Sequence, residues 1–377
     1  MKRIGCIGDV HLACLTLAVD VMISRLIRHF VRYIKTLDML VINGDWYDRP
    51  IPHDSREAHA ISILNSLIIR ECAKHDVVLR VMRGTPGHDG DQCQNFVTLY
   101  EALKLHMEEL EQTLDFKYHD TLTIETIDGI GSCLFLPDKF GSCPSDAYDQ
   151  IYQKLQALKM EQVDFIFLHG GFEYQLPYSS EAHPSHHDSE AYLDITRNRL
   201  FNNHIHTPSI HDRLLGPGSF DRIRHGEEHP KGWLIYEYDE KDPINGEAIF
   251  MENKEASLFK TLHITDNSID AAAEQIDVII GEGYKNGFIR LIVPESHPLL
   301  KHLKPLQQRY KSFVIKVEKS SLKKIKANDI FGFKPVVRSI TLDRMTLPKL
   351  VLDSIPLSAE HRKKEIEHLL KEVAIQC

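Results

Sequence analysis

Short apolar segments of this chain end repeatedly in glycine beside aspartate or histidine, and that pattern constrains the fold more than any other feature. Residues 3–8 (RIGCIG) run into Asp9-Val10-His11. Residues 39–43 run into Gly44-Asp45-Trp46-Tyr47-Asp48. Residues 77–82 lead to Arg83-Gly84-Thr85-Pro86-Gly87-His88-Asp89. Residues 164–168 end at His169-Gly170-Gly171, and His204-Ile205-His206 comes later. Short apolar runs read as buried strands. In open α/β sheets, ligands bind beyond the carboxyl ends of the strands, so five such ends could converge on one site.

Helical patterns lie between these strands, which makes the first part of the chain α/β. Residues 17–36 carry Leu17, Val21, Ile23, Leu26, Ile27, Phe30 and Ile34 at amphipathic spacing. Residues 55–74 read as a helix capped by Asp54 or Ser55. Helices are also expected at 95–111 and 146–160, and several strands between 116 and 136. The polar stretch 173–191 reads as a long loop. Strands and turns fill 213–252, with turn chemistry at Gly216-Pro217-Gly218. Past a boundary near 253–258, strands at 258–264, 288–293 and 312–317 alternate with helices at 268–281 and 297–310, and this order suggests a small α+β domain. A charged helix at 358–375 aligns Ile366, Leu369, Leu370 and Val373 on one face, to be covered by a partner or by its own domain. The divisions expected are 1–255, 256–350 and 351–377.

Composition narrows the class. A chain of 377 residues, 42% hydrophobic and 26% charged, has the makeup of a soluble protein with two or three cores. No apolar run approaches the ~18 residues of a membrane span. Lys2 and Arg3 precede an apolar segment too short for a secretory signal. The seven cysteines are scattered and never paired as CxxC, which argues against a disulfide framework or zinc knuckle and for the cytoplasm. The net charge of −9 is unevenly spread: residues 301–350 hold thirteen Lys or Arg and three acids, a window of +10 in a remainder of −19. Such a local basic field suits a phosphate backbone, or is simply a solvated surface.

Carboxylates and imidazoles together suit first-row divalent metals, and a mixed set can hold two ions ~3.5–4 Å apart with one carboxylate between them. The candidate ligands are Asp9, His11, Asp45, His169, His204 and His206. Alternation in His204-Ile205-His206 would put both imidazoles on one side of an extended segment, with Ile205 on the packing side. Other residues carry blander readings. His183, His186 and His187 beside Asp188 fit a solvated loop better than a third metal site. Asp48 serves as ligand orienter or helix cap, and Trp46 and Tyr47 serve packing. His225 and His229 are given no role.

The order DxH, GDxxD, HD, HG and HxH resembles the calcineurin-like metallophosphoesterase superfamily. His204-Ile205-His206-Thr207-Pro208, then Gly216-Pro217-Gly218-Ser219, Gly226-Glu227-Glu228 and Lys231-Gly232-Trp233, resemble the SbcD family of double-strand-break repair nuclease subunits, with phage-encoded members the closest fit. The resemblance covers roughly residues 1–240. It implies a four-layer α-β-β-α sandwich with a smaller C-terminal α+β capping domain. It implies two divalent ions, Mn2+ by family habit and Mg2+ as the alternative. Asp9, His11 and His206 would hold one ion, His169 and His204 the other, and Asp45 would bridge. His88 would act at the scissile phosphate. The family's Gly-Asn-His-Asp carries a ligand Asn where this chain has Gly87. Thr85, a backbone carbonyl or a water is left to fill that place, and the second site is expected to be the weaker.

The implied function is a DNA nuclease, an exonuclease on double-stranded ends and an endonuclease on single strands or hairpins. It would use a two-metal-activated hydroxide. Lys316, Lys319, Lys323, Lys324 and Lys326 would track the DNA. The implied partners are a coiled-coil SbcC-like ATPase and a second copy of the chain, the latter met through 17–36 and 55–74. Two rivals stand: a phosphomonoesterase or small-molecule phosphodiesterase on the same core, and a non-catalytic DNA-end clamp.

Overall fold

The structure, a computed structural model, describes residues 1–109, 111–138, 144–175 and 186–320. In chain order the first elements are β1 (Lys2–Ile7), α1 (Val19–His29), β2 (Met39–Asn43), α2 (Arg56–Lys74), β3 (Val78–Met82), α3 (Asn95–Glu109) and β4 (Phe116–His119). They are followed by β5 (Thr123–Ile127), β6 (Gly131–Leu136), α4 (Pro144–Leu158), β7 (Val163–His169), α5 (Ser189–Asp194), β8 (Thr196–Asn203), β9 (Ser209–His211) and β10 (Leu214–Gly216). Then come β11 (Gly232–Asp239), β12 (Asp242–Glu252), β13 (Phe259–His263), α6 (Ile269–Gly281), β14 (Gly287–Val293), α7 (Lys304–Arg309) and β15 (Phe313–Lys319).

The chain is a mixed α/β protein with two large mixed sheets. One runs β12-β11-β1-β2-β3-β4, the other β5-β6-β7-β8-β10-β9. Strand periodicity splits the apolar residues between cores. On β2, Met39 and Val41 join the core between the sheets, while Leu40 and Ile42 join the core under α1, α2 and α3. On β7, Phe165 and Phe167 face the first of these, while Ile166 and Leu168 face a third core with Ile151 and Leu155 of α4. Burial on both faces is why these strands read as continuous apolar runs. Phe135, Phe167 and Phe201 stack across β6, β7 and β8 at 5.3 and 5.1 Å. The five described cysteines are buried and free.

α2 begins as expected, with Ser55 Oγ accepting from the Ala58 amide at 3.1 Å. The helix expected over 17–36 is broken. Phe30, wholly buried, leaves helical geometry (φ −132°, ψ −66°), and residues 31–36 continue as a 3₁₀ helix. The cause is tertiary: Trp233 meets Phe30 edge-on at 5.2 Å, and its indole N–H donates to the His29 carbonyl at 2.8 Å. The helix expected over 297–310 is likewise two short pieces, each restarted by a proline, Pro298 and Pro305. Within 173–191 the described part includes the start of α5 (Ser189–Asp194), capped by Asp188.

The small C-terminal sheet runs β13-β14-β15 with both pairs parallel. The expected α+β character is therefore corrected to α/β, because parallel neighbours need crossover connections and α6 and α7 lie in those crossovers. Its core, including Ile276, Ile289, Leu291 and Ile315, is separate from the other three. Among the described residues no helix is long and apolar enough to cross a membrane. The helix expected at 358–375 lies outside the described residues.

Candidate metal centre

The loops after β1 and β2 run side by side beyond the strand ends. The Asp9 amide donates to the Gly44 carbonyl, and the Val10 and His11 amides both donate to the Asp45 carbonyl, at 2.9–3.1 Å. Asp9, His11 and Asp45 all take left-handed backbone, with φ of 48°, 53° and 49°. Non-glycine residues adopt that conformation at a cost, and it turns their side chains inward at the end of the sheet. Gly44 (φ 82°) makes the turn possible: a Cβ there would sit 2.3 Å from His169 Nδ1. Gly84 lets the third loop press in, since a Cβ would lie 2.1 Å from the Asp45 amide nitrogen.

All six expected ligands meet at this edge. Asp9, His11 and His206 place ligand atoms within 4.8 Å of one another, as do Asp45, His169 and His204. A third group, His11, Asp45 and His88, links the two. Asp9, His11, Asp45 and His169 are at most 2% exposed. The expectation for His204-Ile205-His206 is corrected: β8 ends at Asn203, His204 turns (φ 114°), and its amide donates to the Asp9 carboxylate. The two imidazoles are thus presented from a turn and not from an extended segment, and they go to different groups, as expected.

The imidazoles are aimed by what holds Nδ1. His169 donates from Nδ1 to the Asn43 carbonyl at 2.8 Å, His88 to the Asp48 carbonyl at 2.7 Å, and His206 to Glu227 Oε1 at 2.5 Å. Carbonyl and carboxylate oxygens only accept, so the Nδ1 proton is assigned and Nε2 is left to face the cluster. Asp48 Oδ1 lies 3.3 Å from His11 Nδ1. His11 Nε2 and His206 Nε2 then face each other at 2.9 Å. Two nitrogens bound to one ion at right angles stand about 3.0 Å apart. With Glu227 holding the His206 Nδ1 proton, the His206 lone pair faces His11 Nε2, and the carboxylate and imidazole donors gathered around it fit a metal ion.

The electrostatics agree. Burial opposes charge on His169, but the Asp45 carboxylate, 3.3 Å away, outweighs it and pushes the imidazole up to about 10. Burial likewise opposes charge on Asp45, yet His169 and His11 hold its carboxyl well below the usual range. Burial and the charge of His169 lower His204. A cluster that binds a proton this way draws cations.

Several supporting residues were not assigned from the sequence. Asn203, wholly buried, donates to Asp9 Oδ2 at 3.2 Å and accepts from Asn43. Asp89 accepts from the Tyr47 and Gly84 amides, and burial followed by the Asp45 charge raises it to about 6. Lys231, lowered by burial to about 8, donates to the His206 carbonyl at 2.9 Å. Glu227 and Lys231 sit in the run that carries the SbcD resemblance, and that run was the available signal. His187, lowered by burial to about 4, accepts from or donates to the Tyr192 hydroxyl at 2.9 Å and joins none of the three groups. Asp48 holds the His88 ring by its carbonyl, brings its carboxylate to 3.3 Å from His11 Nδ1, and caps no helix. His225 packs edge-on to Phe259.

Lys316 and Lys319 lie exposed on β15, Lys319 3.5 Å from Glu295. Lys323, Lys324 and Lys326, like His183, lie outside the described residues.

No protein-family model matches the chain, and no curated protein matches it. Among solved structures it is similar to one described as TT1561 of Thermus thermophilus, at 12% identity and a TM-score of 0.37, over 66% of this chain and 99% of that one. A second solved structure matches at 11% identity and a TM-score of 0.40, also over 66% and 99%.

Proposed function

We propose that this chain is a metal-dependent phosphodiesterase that cuts DNA, an SbcD-like nuclease subunit on a metallophosphoesterase sandwich. One observation carries the reading: Asp45 belongs both to the group with His169 and His204 and to a group with His11, which faces His206. A carboxylate shared by two sets of imidazoles is what a pair of divalent ions needs. Asp9, His11 and His206 would hold one ion, His169 and His204 the other, and Asp45 both. Mn2+ is the ion expected, with Mg2+ the alternative. Bound there, such ions supply Lewis-acid stabilisation and activated water.

The remaining chemistry belongs to the protein. His88 stands edge-on to His11 at 4.8 Å, its ring fixed by the Asp48 carbonyl. Protonated on Nε2, it donates to a phosphoryl or leaving oxygen as charge develops. Glu227 and Asn203 hold His206 and Asp9 in place. Lys316 and Lys319 contribute charge for the phosphate backbone. Assembly with a second copy is part of the same proposal, supported by the exposed apolar Val21, Ile27 and Ile63 on α1 and α2, and an SbcC-like ATPase is the further partner proposed.

The test is hydrolysis of end-labelled duplex DNA with Mn2+ or Mg2+, wild type against Asp45→Ala. Wild-type cleavage that the variant loses supports the reading. Hydrolysis of phosphomonoesters without DNA cleavage would replace it with the small-molecule rival. Inactivity with Mn2+ and the partner ATPase would leave the clamp.

A further inference from the structure

The Asp45, His169 and His204 group contains a fourth polar atom. Thr85 Oγ1 lies 3.2 Å from Asp45 Oδ2, 3.5 Å from His169 Nε2 and 3.4 Å from His204 Nδ1. Asp45 Oδ2 and His169 Nε2 are themselves 3.3 Å apart. A hydroxyl has one proton and can donate to only one of three neighbours, and these separations are long for good hydrogen bonds. They suit the edges of a coordination shell instead. Four donors ~2.1 Å from one tetrahedral ion stand about 3.4 Å from one another.

The loop gives this hydroxyl a fixed place. The Thr85 amide donates to Asp45 Oδ1 at 2.6 Å, and the Thr85 carbonyl accepts from the His88 and Asp89 amides at 2.9 Å. The Asp89 carboxylate holds the preceding Gly84 amide at 2.7 Å. Position 87 contributes nothing comparable, since a Cβ there would meet no atom within 4 Å.

We propose that the Thr85 hydroxyl is a protein ligand of the second metal, completing the set of Asp45, His169 and His204. This rests on the two-metal reading above. It also sets an order of affinity. The first group has the carboxylate of Asp9, whereas the second has a neutral hydroxyl, two imidazoles and a share of Asp45, so the second ion binds more weakly.

The experiment is a Mn2+ titration of the full chain by calorimetry, with free Mn2+ followed by electron paramagnetic resonance. Wild type should bind two ions in two steps. Thr85→Val, which keeps the amide to Asp45 and the side-chain shape, should weaken the second step by about tenfold or more and leave the first unchanged. Thr85→Ser should restore the second step. If Thr85→Val binds the second ion within about twofold of wild type, with both melting alike, the hydroxyl is not a ligand and the two-metal reading survives. If wild type binds fewer than two ions, both readings fall.

Discussion

Glu227 and His206 share a 2.5 Å hydrogen bond, and it fixes which nitrogen of His206 faces the cluster. Burial pushes the Glu227 carboxyl up, but the bond to His206 and the charges of His206 and Lys231 hold it at about 2. It therefore stays ionised across the working range and accepts only. Glu227→Ala should weaken Mn2+ binding by roughly 10–100-fold, as loss of an outer partner of a ligand histidine does. A titration showing unchanged affinity would assign Glu227 to packing alone.

His88→Ala separates binding from chemistry. His88 shares a group with His11 and Asp45, but its proposed role is toward the substrate oxygen. The rate of DNA cleavage should fall roughly 10²–10⁴-fold, with Mn2+ stoichiometry unchanged. Loss of an ion in the titration would make His88 a ligand instead.

Lys316 and Lys319 address the substrate. If they meet DNA phosphates, the double variant Lys316→Ala, Lys319→Ala should weaken binding evenly across sequences and lower the slope of log affinity against log salt by about 2. An unchanged slope would move the DNA path away from β15.

Acid stability should depend on a group that belongs to none of the candidate metal groups. Arg80, 1% exposed on β3, reaches Glu125 on β5 in the other sheet at 2.6 Å, with His119 at 3.4 Å from the same carboxylate. Burial raises Glu125, but the nearby His119 and the bonds from Arg80 and Lys117 outweigh it and hold it well below the usual range. A depressed carboxyl contributes stability above its unfolded value near 4.5, lost as pH falls toward the folded value. Glu125→Gln should cost roughly 1–3 kcal/mol at pH 7 and flatten the fall of melting temperature below about pH 4.5. An acid limb as steep as wild type would place that sensitivity elsewhere.

Asp9, Asp45 and His169 were legible because each stands at the end of a strand buried on both faces, so a local apolar run marks a place at the sheet's edge. His204 and His206 follow β8, whose sequence TRNRLFNN is no apolar run, and only their His-x-His spacing marked them. Ser55 was legible for the same local reason. What holds the ligands was not. Asn203 meets Asp9 across 194 positions, and Glu227 meets His206 across 21 with an irregular loop between. No short-range pattern encodes such pairs. The break at Phe30 was hidden likewise: its helical spacing is sound, and Trp233, supplied by β11, ends the helix. Thr85 could be named as an alternative, but only the fold of the 84–89 loop separates it from a backbone carbonyl or a water.

The ligands come from loops of both large sheets, and none comes from β13, β14 or β15. An ion bound among them acts as a non-covalent crosslink between the ends of the first sheet at Asp9, His11 and Asp45 and those of the second at His169, His204 and His206. By mass action its binding free energy is added to the stability of those two sheets as a pair. The three-stranded sheet has its own core and supplies no member of these groups. Metal supply would thereby set how firmly the ends of the two large sheets are held together against heat.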